Sequence, residues 1–579
     1  MNRVSIYKIN RLALITGFLM VIVALQSCKK VLDKRDLGAI PEDLVWTDVT
    51  LTTQFLNNIY FSTLPGWPDP LNHNSDEAGG GGGVMYGQLT INSVDFWTTY
   101  KAYDIIRSIN LLLQKLPTTP YQQNDKNKLR GQALFLRAWV YFQMVSRYGG
   151  VPLVLTPQSL EEDLNVKRNK TSECIAQITK DLDEASTLLP VSWATDDEGR
   201  ITKGAALAFK GRVLLHYASE QFTPVQQQTR WQTAFDANKA AMDVLTQQGA
   251  ALMPSFAGLW FIEGNGNKEA ILVTRFNNPG RFQTRDASVR PLEESQNFTG
   301  GDQPTLQLVN AFPMKNGLPI TDPNSGYDPK AYWLNRDPRF ATTVVHNGDI
   351  WELSGKAGRT QWTFKGAEAQ GGTGTSFYSR KGIFEAYKPF EASTSGTDWI
   401  EIRFAEVMLN YAETANEIGN IQIGYDMLTA IRKRAGIDAG ANNLYGLKAG
   451  MTQTEMRKAI LDERLLEFAF EGKREQDLRR RRLYASLLNG KKRTGYDATL
   501  IKFDGKPQDF FTAYATGTIN LKTNYFDYFK ETELPIDLTN TINFKDEYYF
   551  YAIPQSHLQK NPNLQQTKGW DGGTFDPLQ

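Results

Sequence analysis

Two blocks of helical periodicity, separated by residues 278–397 where none persists, constrain the fold of this 579-residue chain more than any other feature. In the early block, apolar residues between Phe96 and Leu116 fall near one helix face, and Pro117 ends the pattern. The segment Lys128 to Tyr148 is apolar over most of its circumference, which predicts a helix buried on several sides. Further helices are predicted at Ser172 to Leu189, Lys203 to Ser219, Trp231 to Gln247, Ile402 to Ile418, Gly424 to Arg434 and Thr454 to Phe470.

The order of these helices favours antiparallel helix hairpins. Short connections join neighbouring helices, and alanines such as Ala133, Ala138, Ala412 and Ala415 suit the close contacts between paired helices. A tetratricopeptide-like unit has this construction, with about 34 residues per repeat. The strict repeat consensus is absent, so periodicity alone does not separate degenerate repeats from a generic helical bundle. We predict a mainly α fold on a helix-hairpin scaffold.

Between residues 278 and 397 the sequence changes character. Glycine, proline, asparagine and aromatic residues dominate this stretch. A loop-rich segment of this length is uncommon in a compact domain unless it is functional or disordered, and its many aromatic side chains argue against disorder. We predict a scaffold in two parts, 50–277 and 398–488, with a loop-rich functional insertion at 278–397 and an irregular C-terminal region at 489–579 packed on the scaffold.

The beginning of the chain has the layout of a secretory leader. Basic residues precede an uncharged apolar stretch from Leu12 to Leu25, and the segment closes with Leu-Gln-Ser-Cys at Cys28. A Leu-x-small-Cys ending is typical of bacterial lipoproteins, in which the cysteine is acylated and the preceding peptide is removed. We expect residues 1–27 to be a signal peptide, Cys28 to carry lipid and 28–49 to form a tether. The alternative is an ordinary signal peptide with an unrelated cysteine.

Composition argues against several functional classes. The chain has 64 Lys and Arg and 63 Asp and Glu, and removal of the leader takes three basic residues away, leaving a formal charge of about −2. This near-neutral charge argues against nucleic-acid binding, which requires an excess of clustered Lys and Arg. After Leu25 no apolar run approaches the ~20 residues needed to cross a bilayer.

Cysteine and histidine usage argues against common metal and redox sites. With Cys28 acylated, only Cys174 remains, so neither an intramolecular disulfide nor a cysteine-rich zinc site can form. Cys174 is expected to be a small buried apolar residue. The four histidines are far apart in sequence, and we predict no cofactor and no metal site. A structural calcium ion held by loop oxygens stays open, although no EF-hand spacing supports one.

Four segments carry a recognisable set of motifs. They are KLRGQALFLRAWVYFQMVSRYGGVPLV at 128–154, RFAEVMLNYAETANEIGN at 403–420 followed by IRKRAGI at 431–437, ILDERLLEFAFEGKREQDLRR at 460–480, and AIPQSHLQKNPNLQQTKGW at 552–570. In this order they resemble the SusD/RagB-like proteins over nearly the whole chain after Cys28. The chain departs from the family pattern at Gln132, Thr429, Lys473 and Glu475-Gln476, which puts local packing there in doubt.

The resemblance implies a surface-exposed, outer-membrane lipoprotein that binds a nutrient, typically an oligosaccharide, and delivers it to a TonB-dependent transporter of the SusC type. The implied fold has about four tetratricopeptide-like units that support a loop-rich ligand-binding region, which here is the insertion at 278–397. A binding protein rather than an enzyme is implied. Two alternatives stay open: the same architecture binding peptides or another nutrient, and a lipid-anchored hydrolase or helical-repeat adaptor.

An acidic repeat bears on the hydrolase alternative. Glu463, Glu467 and Glu471 share one predicted helix face, where like charges destabilise the helix. Cations should therefore face them, and Arg432 and Arg434, or Arg474, could do so. The spacing also permits a carboxylate pair for glycoside hydrolysis, but the intervening apolar residues favour a structural role.

The basic run from Arg479 to Arg482 could indicate an anionic partner. We interpret it instead as a helix end, where cations lie near the negative pole of the helix dipole. Asp477 and Glu475 are the expected ion-pair partners.

The ligand-binding residues are predicted from the chemistry of sugars. A sugar ring offers a weakly apolar C–H face and a rim of hydroxyls, so its site combines an exposed aromatic ring with Asp, Asn, Gln or Arg side chains. Aromatic residues in loop-rich sequence are the best candidates, and the resemblance implies residues from the early region and the middle insertion. We predict a site drawn from Trp67, Asn74, Asp76, Trp97, Trp333, Trp362, Tyr378 and Arg380.

Overall fold

A computed structural model of the chain describes residues 41–71, 73–296, 300–368 and 372–579. The signal-peptide segment, Cys28 and most of the expected tether lie outside the described residues. The fold is mainly α, as predicted. The longer helices are α1 (Val49–Thr63), α2 (Ala102–Lys115), α3 (Gln123–Tyr148), α4 (Thr171–Leu188), α5 (Lys203–Ala218), α6 (Gln228–Gln247), α7 (Phe404–Glu417), α8 (Ile421–Ala435), α9 (Gln453–Glu467), α10 (Arg474–Arg480), α11 (Pro507–Ala515) and α12 (Leu521–Tyr528).

Helices α2 to α9 form the scaffold. Each of them packs against the next along the chain, and α7 also packs against α9. Eight helices that pack in succession match the tetratricopeptide-like architecture expected for the family, and α6 and α7 pack together although the insertion separates them in sequence. Helix α1 lies against α2 and α3.

Glycines let neighbouring scaffold helices approach closely. A Cβ atom on Gly211 of α5 would lie 2.4 Å from Oδ1 of Asn238 on α6. The Nδ2 group of Asn238 donates a hydrogen bond to the Gly211 carbonyl at 3.1 Å. At Gly131 of α3, a Cβ would lie 3.0 Å from Leu189 just after α4. Because interiors are close-packed, a larger residue at either glycine would push the helices apart.

One predicted helix is broken. The segment from Phe96 to Leu116 forms a single turn, Phe96–Thr99, followed by α2. Lys101 between them has a left-handed backbone with φ of 52°, which a continuous helix does not allow. The Asp95 carboxylate caps the short turn by accepting the Thr98 N–H at 3.1 Å, so the break has its own local signal.

The strands are short and pair two by two, all antiparallel. The pairs are β1 (Ala270–Thr274) with β6 (Trp399–Arg403), β2 (Val344–Val345) with β5 (Tyr378–Ser379), β3 (Asp349–Ile350) with β4 (Thr360–Gln361), and β7 (Thr494–Leu500) with β8 (Phe529–Pro535). The first pair closes the base of the insertion, since Thr274 lies opposite Trp399. The insertion therefore leaves and re-enters the scaffold at one place.

A buried ion-pair network joins the insertion to the scaffold around α9. Glu463 pairs with Arg432 at 2.8 Å, and Glu467 pairs with Arg434, in agreement with the sequence-based expectation. Arg474 does not take part. It pairs with Asp76 at 2.7 Å, because the turn at Gly472, with φ of 68°, redirects the chain after α9.

Most cations in this network come from distant segments. Arg339 of the insertion lies 2.7 Å from Glu463 and 2.8 Å from Glu467. Arg403 of β6 lies 2.6 Å from Glu467 and 2.8 Å from Glu471, and Lys381 lies 2.6 Å from Glu471. All three glutamates are buried, so no sugar can reach them in this structure, and their role is structural.

Three of the four arginines in the basic run are buried, whereas Arg482 is partly exposed and pairs with exposed Asp546 at 2.7 Å. Arg480 pairs with Glu413 at 2.6 Å and Asp477 at 2.8 Å, and Arg481 pairs with Glu417 at 3.0 Å. The run is thus not a patch for anionic partners. Asp477 is a partner as expected, whereas Glu475 is not within ion-pairing distance of any cation in the described part of the chain.

Two further sequence features have a structural outcome. Cys174 is buried, and burial raises the pKa of its thiol to about 12, so it is an inert apolar residue as expected. Among the described residues, no helix is both long enough and apolar enough to span a bilayer.

Candidate functional site

An open aromatic surface lies where the insertion meets the C-terminal region. It consists of Thr360, Trp362, Phe511 and Tyr514, which line an open depression of about 410 Å³. Strand β4 carries Thr360 and is followed directly by Trp362, and helix α11 carries Phe511 and Tyr514. Trp362, Phe511 and Tyr514 are partly exposed. These four residues are named the aromatic surface.

The rings of the aromatic surface hold one another in fixed orientations. The Tyr514 ring meets the Trp362 ring edge to face, with centroids 4.9 Å apart, and Phe511 lies 5.9 Å from Trp362. The Tyr514 and Thr360 hydroxyls lie 3.2 Å apart. A sugar ring can pack its C–H face on an aromatic ring, and the two hydroxyls lie where they can hydrogen-bond to it. None of the four side chains is the Asp, Asn, Gln or Arg that we expected beside the ring.

An apolar cluster backs this surface from behind. Phe510 lies 5.0 Å from Trp362, and Phe364, Phe510 and Phe529 form a buried group beneath it. The C-terminal region, predicted as irregular, supplies the rest of this cluster besides Phe364, through α11, α12 and the paired strands β7 and β8. The aromatic surface is therefore attached to a packed core rather than to a free loop.

Hydrogen bonds to Asn347 hold the loop that carries Trp362. The Asn347 Oδ1 atom accepts the backbone N–H groups of Thr363 at 2.8 Å and Phe364 at 3.2 Å. Its Nδ2 group donates to the Tyr525 hydroxyl at 3.0 Å, and that hydroxyl donates to Glu531 Oε1 at 2.6 Å. Burial raises the pKa of Glu531 to about 7, because no cation in the described chain pairs with it.

Two of the predicted residues belong to this region. Trp362 is in the aromatic surface itself. Trp333 lies behind it, stacked on His346 at 4.8 Å and edge-on to Tyr525 at 4.9 Å. Trp333 is partly exposed, so it extends the same aromatic region.

Trp67 and Arg380 lie in a second region, around Trp260. The Trp67 ring is 5.3 Å from Trp260 and 5.1 Å from Trp399. Arg380 pairs with Glu385 at 2.7 Å and lines a hollow of about 300 Å³ together with Trp260. The structure thus brings these two predicted residues near each other, away from the aromatic surface.

The remaining predicted residues make structural contacts. Asp76 is buried in a bidentate pair with Arg474, and Asn74 accepts the Gly82 N–H at 3.0 Å and so holds the glycine-rich loop. Trp97 is buried 5.6 Å from Tyr148. Tyr378 is buried in β5 and donates to Glu368 at 2.8 Å. In this structure neither buried ring offers a face to a ligand.

Sequence reasoning missed Phe511 and Tyr514. They lie in PQDFFTAYA, residues 507–515, within a region that we expected to be irregular. The signal was present, since Pro507 at the start of α11 is a good first helical residue. Phe510, Phe511 and Tyr514 then follow at helical spacing, which places aromatic rings on one side of a short helix.

Family models match two parts of the chain. Residues 268–570 match the model described as the SusD family, and residues 83–215 match one described as starch-binding associating with outer membrane. The first match alone spans more than half of the sequence. The chain therefore belongs to the SusD family.

Similar proteins agree with this assignment. A SusD-like protein of Bacteroides ovatus is 25% identical over 482 residues, covering 80% of this chain and 79% of the relative. SusD-like protein P2 of Formosa agariphila is 24% identical over 396 residues, covering 67% of this chain and 71% of the relative.

Solved structures share the fold. A SusD-like protein from Bacteroides fragilis has a TM-score of 0.73 at 24% identity, covering 93% of this chain and all of the other. A SusD-like carbohydrate binding protein from the same species has a TM-score of 0.68 at 23% identity, covering 90% and 99%. A laminarin binding SusD-like protein has a TM-score of 0.54 at 21% identity, covering 91% and 100%.

Proposed function

We propose that this protein is a non-catalytic binding protein for an oligosaccharide, and that the aromatic surface is where the glycan chain binds. The observation that carries the proposal is the exposed, edge-to-face pair of Trp362 and Tyr514 on a rigid base. The surface is shallow and open, so a long chain can cross it. Solved neighbours described as carbohydrate binding and laminarin binding support this ligand class.

Removing the aromatic rings should weaken binding to glycans. Trp362→Ala and Tyr514→Ala are each expected to cost ~1 kcal/mol or more of binding free energy, the size of loss that marks a hot spot. Titration calorimetry with laminarin and with starch measures it. The matched control is Phe390→Ala, which removes an exposed ring elsewhere in the insertion.

The same titrations decide between ligand classes. Affinity of both variants equal to that of the unaltered protein would rule out the aromatic surface as the binding site. Binding of a peptide mixture together with failure to bind any polysaccharide would overturn the carbohydrate assignment and favour the peptide alternative.

We further propose that the protein is an outer-membrane lipoprotein that faces the exterior and delivers its ligand to a SusC-like TonB-dependent transporter. Membership of the SusD family and the description of the model matching residues 83–215 support an outer-membrane association. The Leu-Gln-Ser-Cys ending at Cys28 supports a lipid anchor. Each buried methylene contributes about 0.8 kcal/mol to membrane binding. Because a single acyl chain binds only reversibly, a stable anchor needs more than one chain.

Replacing the acylated cysteine should release the protein from the membrane. Cys28→Ser is expected to move the protein from the membrane fraction to the soluble fraction and to leave its glycan affinity unchanged, while growth on the glycan is lost. Cys174→Ala, which alters the other cysteine, should stay in the membrane fraction. Retention of Cys28→Ser in the membrane would refute the anchor, and complete protection from added protease on intact cells would refute the outward orientation.

A further inference from the structure

A second cavity lies on the scaffold, apart from the aromatic surface. It has a volume of about 450 Å³ and shares no residue with the aromatic surface. Its walls are the loop at 191–200, the end of α6, the loop at 260–268 and one side of β1. This cavity is named the scaffold groove. Its size lies within the usual range for small-molecule sites.

The charges in the scaffold groove balance. Three acidic and three basic side chains line it: Glu198, Glu263, Asp398, Arg200, Lys268 and Arg275. The formal net charge is therefore zero. These six side chains offer many hydrogen-bond donors and acceptors without an excess of either charge. A neutral polyhydroxylated ligand fits this chemistry best.

A buried carboxylate and a half-exposed guanidinium form the polar side of the groove. Asp398 is 5% exposed, and its Oδ1 atom accepts the Phe276 N–H at 2.7 Å. Arg275 lies 3.1 Å from Asp398 and 3.3 Å from Glu263, and its side chain is 40% exposed. Fixed carboxylate and guanidinium groups side by side can accept from and donate to adjacent hydroxyls of one sugar ring.

Two indole rings supply the apolar side. Trp193 is partly exposed, and its Nε1 group is fixed by a hydrogen bond to the Ile201 carbonyl at 2.9 Å. Trp260 is buried, and its Nε1 group has no hydrogen-bond partner among the described residues. The Nε1 groups of Trp46, Trp97, Trp231 and Trp351 share this state, so at Trp260 it does not by itself indicate a ligand.

One end of the groove is limited by a contact between its two loops. Glu198 Oε1 accepts the Asn265 N–H at 2.7 Å. A Cβ on Gly264 would lie 2.5 Å from the Glu198 carboxylate, so this close contact requires glycine. Because the contact spans the rim, the groove suits a short ligand rather than the middle of a long chain.

We propose that the scaffold groove binds a free neutral mono- or disaccharide, independently of the aromatic surface. The inference rests on the proposed function, since it assigns a second saccharide site to the same binding protein. Arg275 and Asp398 would hold the hydroxyls, and Trp193 would contact the ring face.

The test compares short and long saccharides on the full mature protein. Maltose and laminaribiose are the short ligands, and starch and laminarin are the long ones. Arg275→Gln is expected to weaken disaccharide binding at least tenfold and to leave the affinity of the aromatic surface for the long chains unchanged. Trp362→Ala is expected to weaken binding of the long chains and to leave disaccharide affinity unchanged. The control is Arg130→Gln, which alters a scaffold arginine of similar exposure paired with Glu184. Thermal unfolding verifies that each variant is folded.

The outcomes separate the two proposals. Long glycans that bind while neither disaccharide does, or disaccharide binding that survives Arg275→Gln but not Trp362→Ala, would overturn the scaffold groove and leave the proposed function standing. If no saccharide of either length binds, both the proposed oligosaccharide-binding function and the saccharide site in the scaffold groove are refuted.

Discussion

Replacing Glu467 by alanine is expected to destabilise the protein by about 3–5 kcal/mol, the range found when one partner of a buried ion pair is removed. Its carboxylate accepts from Arg339 at 2.8 Å, from Arg403 at 2.6 Å and from Arg434. The neighbouring guanidinium groups hold the pKa of Glu467 well below its usual range, against the opposing effect of burial. Removal of this carboxylate leaves Arg339, Arg403 and Arg434 each with one ion-pair partner fewer in the protein interior.

Urea unfolding followed by tryptophan fluorescence measures this loss. Asp462→Ala on the same helix is the matched control, because its carboxylate is exposed and pairs only with exposed Lys458. Such a surface pair contributes about 0–1 kcal/mol. Glu467→Gln keeps the shape of the side chain and gives a measurable value if the alanine variant does not fold. Equal stability of the Glu467 and Asp462 variants would show that the network does not stabilise the fold.

Replacing Glu531 by glutamine is expected to stabilise the protein above pH 7 and to have little effect at pH 4.5. Burial raises the pKa of Glu531 from 4.5 to about 7. Between these pH values the unfolded chain releases the proton while the folded chain keeps it, so stability falls as pH rises. At 1.36 kcal/mol per pKa unit, the loss reaches about 3 kcal/mol at most, and glutamine removes it.

Unfolding free energies measured from pH 4.5 to pH 8 check this expectation. Some pH dependence should persist in the variant, because burial also raises the pKa values of Glu77 and Glu368 to about 7. Glu533→Gln, an exposed residue of the same strand, is the control and should change stability by less than ~0.5 kcal/mol. A Glu531 variant whose pH profile parallels that of the unaltered protein would contradict the buried-carboxyl assignment.

The acidic repeat shows how far local sequence predicts tertiary contacts. The spacing of Glu463 and Glu467 on one helix face required cations opposite them, and Arg432 and Arg434 on the adjacent helix α8 do lie there. Arg339 and Arg403 were not predicted. They come from more than 60 residues away, and no periodicity within a helix records which distant strand or loop will pack on it.

The candidate site shows the same limit. Of the rings predicted from loop-rich sequence, Trp333 and Trp362 are partly exposed but Tyr378 is buried, and so is Trp97, which was chosen for its place after the glycine-rich loop. Exposure of an aromatic ring depends on what packs over it. For Trp362, that neighbour is α11, which contributes Phe511 and Tyr514 from a segment about 150 residues further along the chain.

By itself, the sequence determined the mainly helical class and the family, and it predicted the helix-hairpin scaffold and lipidation at Cys28. These features depend on local patterns, namely helical periodicity, turn residues and short motifs. Only the tertiary structure decided which cations meet the buried glutamates, which rings remain exposed and where the scaffold groove lies. Those properties arise from contacts between segments distant in sequence, whose burial depends on how the helices, the insertion and the C-terminal region pack together.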